Sequence, residues 1–385
     1  MSGVYARVVA NAIRSSTLKS TIGQLQMISR LSEAILLSPS DVVPSRDEFE
    51  VIGVFNPGVI YTDDEVLILA RVAERPKEVR CGFTGLPHWT SGGDCIVDWL
   101  PDDELRVIDP RVIELKADDC LRLTSVSHLR VFRRKHGSSD VWTQGSLFLP
   151  NCPTEEFGVE DPRITKIDGT YWITYAAASR AGVATALASS GDMKTFKRHG
   201  LIFPPENKDV VLFPERINGV FHALHRPNPS SHFSPPQIWL AQSHDLIHWG
   251  GHVPLFTGRH PWEGDRIGAG TPPLLTDEGW LLLYHGSSRC SSDAPEGEVG
   301  VYSAGLVLLD RDDPSRVLAR SSEPMMIPTN TYETTGFVPN VVFPTALIHS
   351  RASKAGENLD VYYGAADTSI AFAQFSKQAL LDSLH

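Results

Sequence analysis

The chain has 385 residues, 42% hydrophobic and 21% charged, enough to bury a large core as two ordinary domains or as one large all-β domain. A formal net charge of -11 excludes a general nucleic-acid or acidic-membrane surface, which needs a basic face, and leaves room only for a local basic pocket around one small anion. The five cysteines, Cys81, Cys95, Cys120, Cys152 and Cys290, are scattered without paired or metal-type spacing, and nothing resembles a signal peptide or a membrane-spanning run, so reduced thiols and a cytoplasmic address are expected.

In chain order, residues 3–37 place Leu18, Ile22, Leu25, Ile28, Leu31 and Ile35 at steps of three or four, which predicts a helix with one apolar face. An N-terminal helical extension over residues 1–40 is therefore expected, for docking or for formation of a homo-oligomer. Its Arg7, Arg14 and Lys19, with no acid before Glu33, also match the composition of a mitochondrial transit peptide.

From about residue 50 the pattern changes to short apolar alternations cut by Gly, Asp, Asn and Pro, as in an all-β chain. Five segments align: NPGVIYTDDEVLILARV from Asn56, DPRITKIDGTYWITYAA from Asp161, FPERINGVFHALHRP from Phe213, PPLLTDEGWLLLYHG from Pro272, and FPTALI continuing, after an insertion, to LDVYYGAAD ending at Asp367. Each pairs a proline-marked strand with a second strand across a polar turn, and Asp168-Gly169 and Asn218-Gly219 are favoured hairpin dipeptides. Ser190–Phe196 and Ser243–Trp249 share S-x-D-x-x-x-aromatic and are spaced like Pro162 and Pro214, so the repeated unit is longer than a hairpin. Repeats of several antiparallel strands predict a five-bladed β-propeller over residues 41–385. The wide gap between Pro57 and Pro162 is read as an insertion decorating a loop rather than a sixth blade. SKQALLDSLH, with Ser376 as N-cap, predicts a short closing helix.

Corresponding strand ends of a propeller converge on one pocket. Asn56 and Asp161 precede prolines, and Arg71, His225-Arg226, His285 and Asp367 end second strands, a polar set that stability alone does not require. Blander readings stand beside this one: Asp161 capping a strand and pairing with Arg163, Arg71 at an exposed strand end, His225 and His285 as hydrogen-bonded core histidines. Trp172, Trp249 and Trp280 read as packing residues, and Trp262 as the one tryptophan placed to serve as a sugar platform. No metal spacing, nucleophile elbow or phosphate loop is present, so neither a metal nor an organic cofactor is expected.

With these motifs assembled, the chain resembles glycoside hydrolase family 130, the β-mannoside phosphorylases and related β-1,2-mannosidases, from about Phe55 to Asp367. GVEDPRI, KDVVLFPERINGVFHALHRP, GTPPLLTDEGWLLLYHG, VYSAGLVLLD and YYGAADT carry the resemblance together. It implies one carboxylic acid, Asp161, donating its proton to the glycosidic oxygen through the mannose 3-hydroxyl. It also implies inorganic phosphate as co-substrate among Lys208, Arg226, His285 and Tyr302, with Asn207 as a neighbour, and Asn56, Arg71 and Asp367 on the cleaved sugar of a β-mannoside oligosaccharide. A phosphorylase needs no second carboxylate to activate water, because phosphate is already an anionic nucleophile. Family members that hydrolyse β-1,2-mannosides use glutamates instead, for which Glu215, Glu263, Glu296 and Glu298 are the candidates. The retained basic set favours an inverting phosphorylase over that hydrolase, and over a glycan-binding propeller in which Asp161, Arg71 and Asp367 would not converge.

Overall fold

The computed structural model describes residues 28–90, 92–139, 141–229, 233–288, 299–352 and 356–384. Among them the fold is nearly all β, with two short α-helices at Thr331–Thr334 and Lys377–Asp382. Ser376 caps the second by accepting from the Ala379 amide at 3.3 Å, as its sequence implied.

The strands group into five antiparallel units. The first comprises Phe49–Tyr61, Glu65–Pro76, Val126–Lys135 and Thr143–Phe148, and the second Gly158–Ile167, Thr170–Ser179, Gly182–Ser190 and Lys197–Phe203. These two join in one sheet only through a single parallel pair, Gly158 with Ser127. The third holds Asn207–Leu212, Phe221–Pro227, Ile238–Ser243 and Trp249–Phe256. The fourth holds Arg266–Ala269 with Leu274–Thr276, then Gly279–Ser287, Tyr302–Leu309 and Val317–Arg320. The fifth is built from Val342–His349, Asn358–Ala365 and Ser369–Ser376, and its fourth strand is Ser32–Leu37 from the start of the described chain.

That last strand corrects the helix expected to reach residue 37. Leu31 and Ile35, assigned to the apolar face, are 53% and 46% exposed. Residues 32–37 instead pair antiparallel with Ile370–Gln374, where open backbone groups of a sheet edge outweigh the helix propensity of SEAILL. The rest of the expected helix, residues 3–27, and any oligomer contact it would make lie outside the described residues.

Five large apolar clusters each lie between consecutive units. Ile60 and Leu129 meet Val159 and Ile173; Ile167 and Leu187 meet Val210 and Leu212; Val211 and Leu240 meet Trp280 and Val307; Leu281 and Leu306 meet Val361 and Tyr363; and Ala346 and Ile370 meet Val54 and Ile68. Each sheet is thus covered on both faces. A strand such as Gly279–Ser287 is buried throughout and reads as a continuous apolar run rather than an alternation.

Three units carry the same buried brace, which the sequence did not announce. A glutamate in a short turn accepts from a tyrosine hydroxyl of the second strand and from an arginine of, or just before, the outermost strand. Glu155 holds Tyr175 at 2.8 Å and Arg198 at 2.6 Å; Glu263 holds Tyr284 at 2.9 Å and Arg320 at 2.6 Å; Glu333 holds Tyr363 at 2.7 Å and Arg30 at 2.6 Å. The shared S-x-D motif is likewise a repeated turn: Asp192 accepts the amides of Lys194 and Thr195, and Asp245 those of Ile247 and His248.

The insertion after Pro76 is confirmed as such, but it is folded rather than loop decoration. A hairpin, Phe83–Trp89 with Cys95–Pro101, and a three-stranded sheet, Leu105–Asp109, Val112–Leu115 and Leu121–Leu123, form a small lobe with its own apolar cluster around Leu86, Leu105 and Ile113.

Candidate active site

The first strands of three units break register at equivalent places: between Phe55 and Gly58, between Glu160 and Arg163, and between Lys208 and Val211. The bulged residues Asn56, Asp161 and Asp209 have φ of 47°, 50° and 55°, a left-handed conformation that Asn and Asp tolerate better than other side chains. Asp209 faces a cavity of about 260 Å³, just below the usual range of small-molecule pockets, and Asn56 and Asp161 lie behind its wall. Its wall includes Arg71, Lys208, Arg226, His285, Tyr302 and Asp367, with Arg111, Val112 and Leu123 supplied by the inserted lobe.

On one side stands an acid corner. Asp161 Oδ1 accepts from Asn56 Nδ2 at 2.9 Å and from Arg71 Nη1 at 3.1 Å. Arg71 lies over the Phe55 ring and also binds Glu160 at 2.7 Å and Ser127 at 3.0 Å. Burial pushes the Asp161 carboxyl up, but Arg71, Arg163, the Asn56 amide and Lys208 outweigh it and hold the group below the usual aspartate range. Asp367 behaves oppositely: burial raises it, aided by Asp161 and Glu160, against the pull of Arg111, 3.6 Å away, and Arg71.

Across the cavity is an anion corner. Asp209 lies 3.1 Å from Arg226 Nη1, 3.4 Å from His285 Nε2 and 3.3 Å from Arg163 Nη2. Arg163 also donates to the Asp161 carbonyl at 3.0 Å, so it joins the two corners. Burial would raise Asp209, but Arg226, His285, Arg163 and Lys208 hold it well below the ordinary range. Burial depresses His285 to about 3, so its ring is neutral near pH 7. Lys208 is the one cavity cation with no ion-pair partner among the described residues. Buried polar atoms without hydrogen-bond partners gather here: Asp209 Oδ2, Arg226 Nε, His285 Nδ1 and, one residue behind the wall, Asn207 Oδ1. Native interiors leave few such atoms, so their gathering marks a place that a polar ligand completes.

The profile of glycoside hydrolase family 130, described as beta-1,4-mannooligosaccharide phosphorylase, matches residues 133–385. The chain is 39% identical over 364 residues to the beta-1,2-mannobiose phosphorylase of Listeria innocua, covering 93% of this chain and 98% of that protein.

The chain belongs to glycoside hydrolase family 130.

It is also 40% identical over 220 residues to the 1,2-beta-oligomannan phosphorylase of Thermoanaerobacter sp., 56% of this chain and 67% of that one. The solved Listeria innocua beta-1,2-mannobiose phosphorylase, in complex with beta-1,2-mannobiose, superposes with a TM-score of 0.81 at 38% identity over 91% of this chain and 96% of that one.

As a family 130 member, the chain brings Arg71 and Asp367 to the cavity wall together with Lys208, Arg226, His285 and Tyr302, while Asn56 and Asp161 stand just behind it, Asp161 held by Asn56 and by the wall residue Arg71. Asn207 does not reach the wall; its amide bonds to His225 Nδ1 at 3.0 Å. His225 itself stacks on Phe203, a packing histidine as its bland reading had it. Trp262 is no platform, since it lies against Tyr284 and donates to the Ser322 carbonyl. Of the glutamates weighed as water activators, Glu215 is exposed and off the cavity wall, Glu263 is spent in its brace, and Glu296 and Glu298 lie outside the described residues. No group of three or more His, Cys, Asp or Glu among the described residues could hold a metal ion.

Sequence reading missed Asp209, Arg111, Arg266 and Glu160. Asp209 was findable: it occupies in the third unit the slot of Asn56 and Asp161, but Val210 replaces the proline that marked the other two. Alignment on Pro214 instead placed Phe213 in that slot. Arg111 comes from the insertion, which has no repeat to align.

Proposed function

We propose that this chain is an inverting β-mannoside phosphorylase that cleaves β-1,2-mannobiose with inorganic phosphate, giving α-mannose 1-phosphate and mannose. The observation that carries the reading is the placement of Asp161, hydrogen-bonded to Asn56 and to the wall residue Arg71, beside a cavity whose other residues form a basic, incompletely satisfied corner. Linkage follows the Listeria innocua relative, whose similarity spans nearly the whole chain.

In one displacement, a phosphate oxygen forms a bond to mannose C1 from the α face while the C1–O bond to the second sugar breaks. The departing oxygen takes the Asp161 proton, passed through the mannose 3-hydroxyl as in the family. Asn56, Arg71 and Asp367 orient the mannosyl ring. Lys208, Arg226, His285 and Tyr302 hold phosphate, and charge-assisted donors of this kind typically contribute a few kcal/mol each to the transition state. Arg71 and Arg163 are the main charges that hold Asp161 below the usual aspartate range, and Lys208, which also contributes, is a cation that a phosphate dianion would offset, so seating phosphate shifts the acid toward its protonated form. Proton donation is thereby tied to the presence of the nucleophile.

We further infer that the five units form a five-bladed propeller with this cavity at one mouth. In support, five clusters link the units in a cycle, and the first strand, Phe49–Tyr61, packs against both Gly158–Ile167 and Val342–His349. A cytoplasmic setting suits the chemistry, since phosphate is plentiful there and the charged product is retained. Among the described residues no helix is long and apolar enough to cross a membrane.

The test is direct: β-1,2-mannobiose with purified protein should yield mannose 1-phosphate only when phosphate is present. Equal release of mannose with and without phosphate overturns the reading in favour of hydrolysis.

A further inference from the structure

The anion corner contains a group that a phosphate site would do better without on charge alone. Asp209 is 5% exposed and ionised, and a carboxylate beside a bound dianion repels it. Its contacts explain its presence. Oδ1 accepts from Arg163 at 3.3 Å, and Oδ2 lies 3.1 Å from Arg226 and 3.4 Å from His285, whose Nε2 also faces Arg226 Nη1 at 3.4 Å, so a single carboxylate sits against side chains from three different units. Arg226 Nε has no hydrogen-bond partner among the described residues. The Nδ1 atom of His285, on the ring edge away from Asp209, is also unpartnered.

Gly268 belongs to the same arrangement. It has ordinary extended backbone, so nothing in its conformation requires glycine. Space requires it: a Cβ there would overlap Asp209 Oδ2 and the His285 ring. Its strand pairs Gly268 with His285, which brings the fourth unit's backbone flush against the Asp209–His285 contact.

We propose that Asp209 is a positioning residue for phosphate, aiming Arg226 and His285 into the cavity, and that Gly268 leaves the room this arrangement needs. The proposal rests on the reading of this corner as the phosphate site. Asp209 acts through its neighbours and touches no reacting atom.

The sign of one measurement separates aim from charge. If Asp209 contributed only its field, Asp209→Asn would remove repulsion and lower the KM for phosphate. As a positioning residue it does the opposite. Asp209→Asn should raise the phosphate KM about 10- to 100-fold, the scale of a lost charge-assisted contact, and leave the KM for β-1,2-mannobiose within about threefold. Gly268→Ala, which deletes no functional group, should shift the phosphate KM in the same direction with the mannobiose KM unmoved, and phosphate titration calorimetry should show the same weakening without turnover. A phosphate KM that falls or stays constant, or a rise shared equally by both substrates, overturns the proposal. Should Asp209→Asn fail to fold, Gly268→Ala decides alone by the same criteria. Wild-type turnover that does not depend on phosphate would instead remove the phosphorylase reading, which the Asp209 result cannot do.

Discussion

The brace around Glu263 and the corner around Asp209 are both buried ionised clusters, yet they are built to different ends. In the brace, Oε1 accepts from Arg320 and the amides of Arg259 and His260, and Oε2 from Tyr284, so both carboxylate oxygens are occupied. In the corner, Asp209 meets three cationic or polar neighbours but Oδ2 receives no directed hydrogen bond, and its partners keep unsatisfied atoms of their own. A buried charge whose partners are all supplied by the protein stabilises a unit. One whose partners are left incomplete next to a cavity has been kept for something that is not protein.

The largest effect should come from the acid that faces the corner. Asp161→Asn should lower kcat about 10²- to 10⁴-fold, the usual contribution of a positioned proton donor. Stability should fall less than in the brace, because an amide oxygen at Oδ1 still accepts from Asn56 and Arg71 and because Arg71 keeps Glu160 as a counterion. Retention of more than a tenth of wild-type turnover would remove Asp161 from the donor role. The brace should respond the other way round. Glu263→Gln strands Arg320, 9% exposed, without its counterion, and should cost about 3–5 kcal/mol in chemical unfolding while the folded fraction keeps its kcat/KM. A loss of activity per folded molecule would show that the two regions are not separable.

A smaller effect is expected at Lys208, which has no ion-pair partner among the described residues to strand. Lys208→Ala should raise the phosphate KM about 10- to 100-fold, the range for one hydrogen bond to a charged group, and leave the unfolding midpoint in place. If the unfolding midpoint moves and the phosphate KM does not, Lys208 belongs to the braces rather than to the ligand.

How much of this was legible in the sequence follows the same division. The hairpin turns, the strand pairs and Asp161 were readable because each repeats in recognisable chemistry, and a proline flags Asn56 and Asp161 alike. Asp209 was hidden by Val210, and the braces were hidden because their three members are far apart along the chain: Arg30 reaches Glu333 only after the first described strand has paired with the last unit. SEAILL was misread as helix because its propensities are local, whereas the edge it completes is made by residues 370–374. Arg111 enters the cavity from a lobe that no repeat pattern describes.

Acid separates the two regions by the order in which they fail. His285 is fully buried with its pKa pushed from the ordinary value near 6.5 down to about 3, mainly by burial. The unfolded chain therefore binds a proton that the folded chain refuses between those values, and this histidine's contribution is intact above about pH 6.5 and lost as pH falls toward 3. Glu333, held below its usual value against burial by Arg30, keeps its contribution above about pH 4.5 and loses it only below. The corner should thus weaken first. Urea unfolding at pH 7 and 5.5 should show a loss of stability of which about 1 kcal/mol disappears in His285→Gln, whereas Glu333→Gln should lower stability equally at both values. If the His285→Gln protein loses as much on acidification as the wild type, the neutral histidine is not what acid attacks, and the two regions share a single acid-labile core.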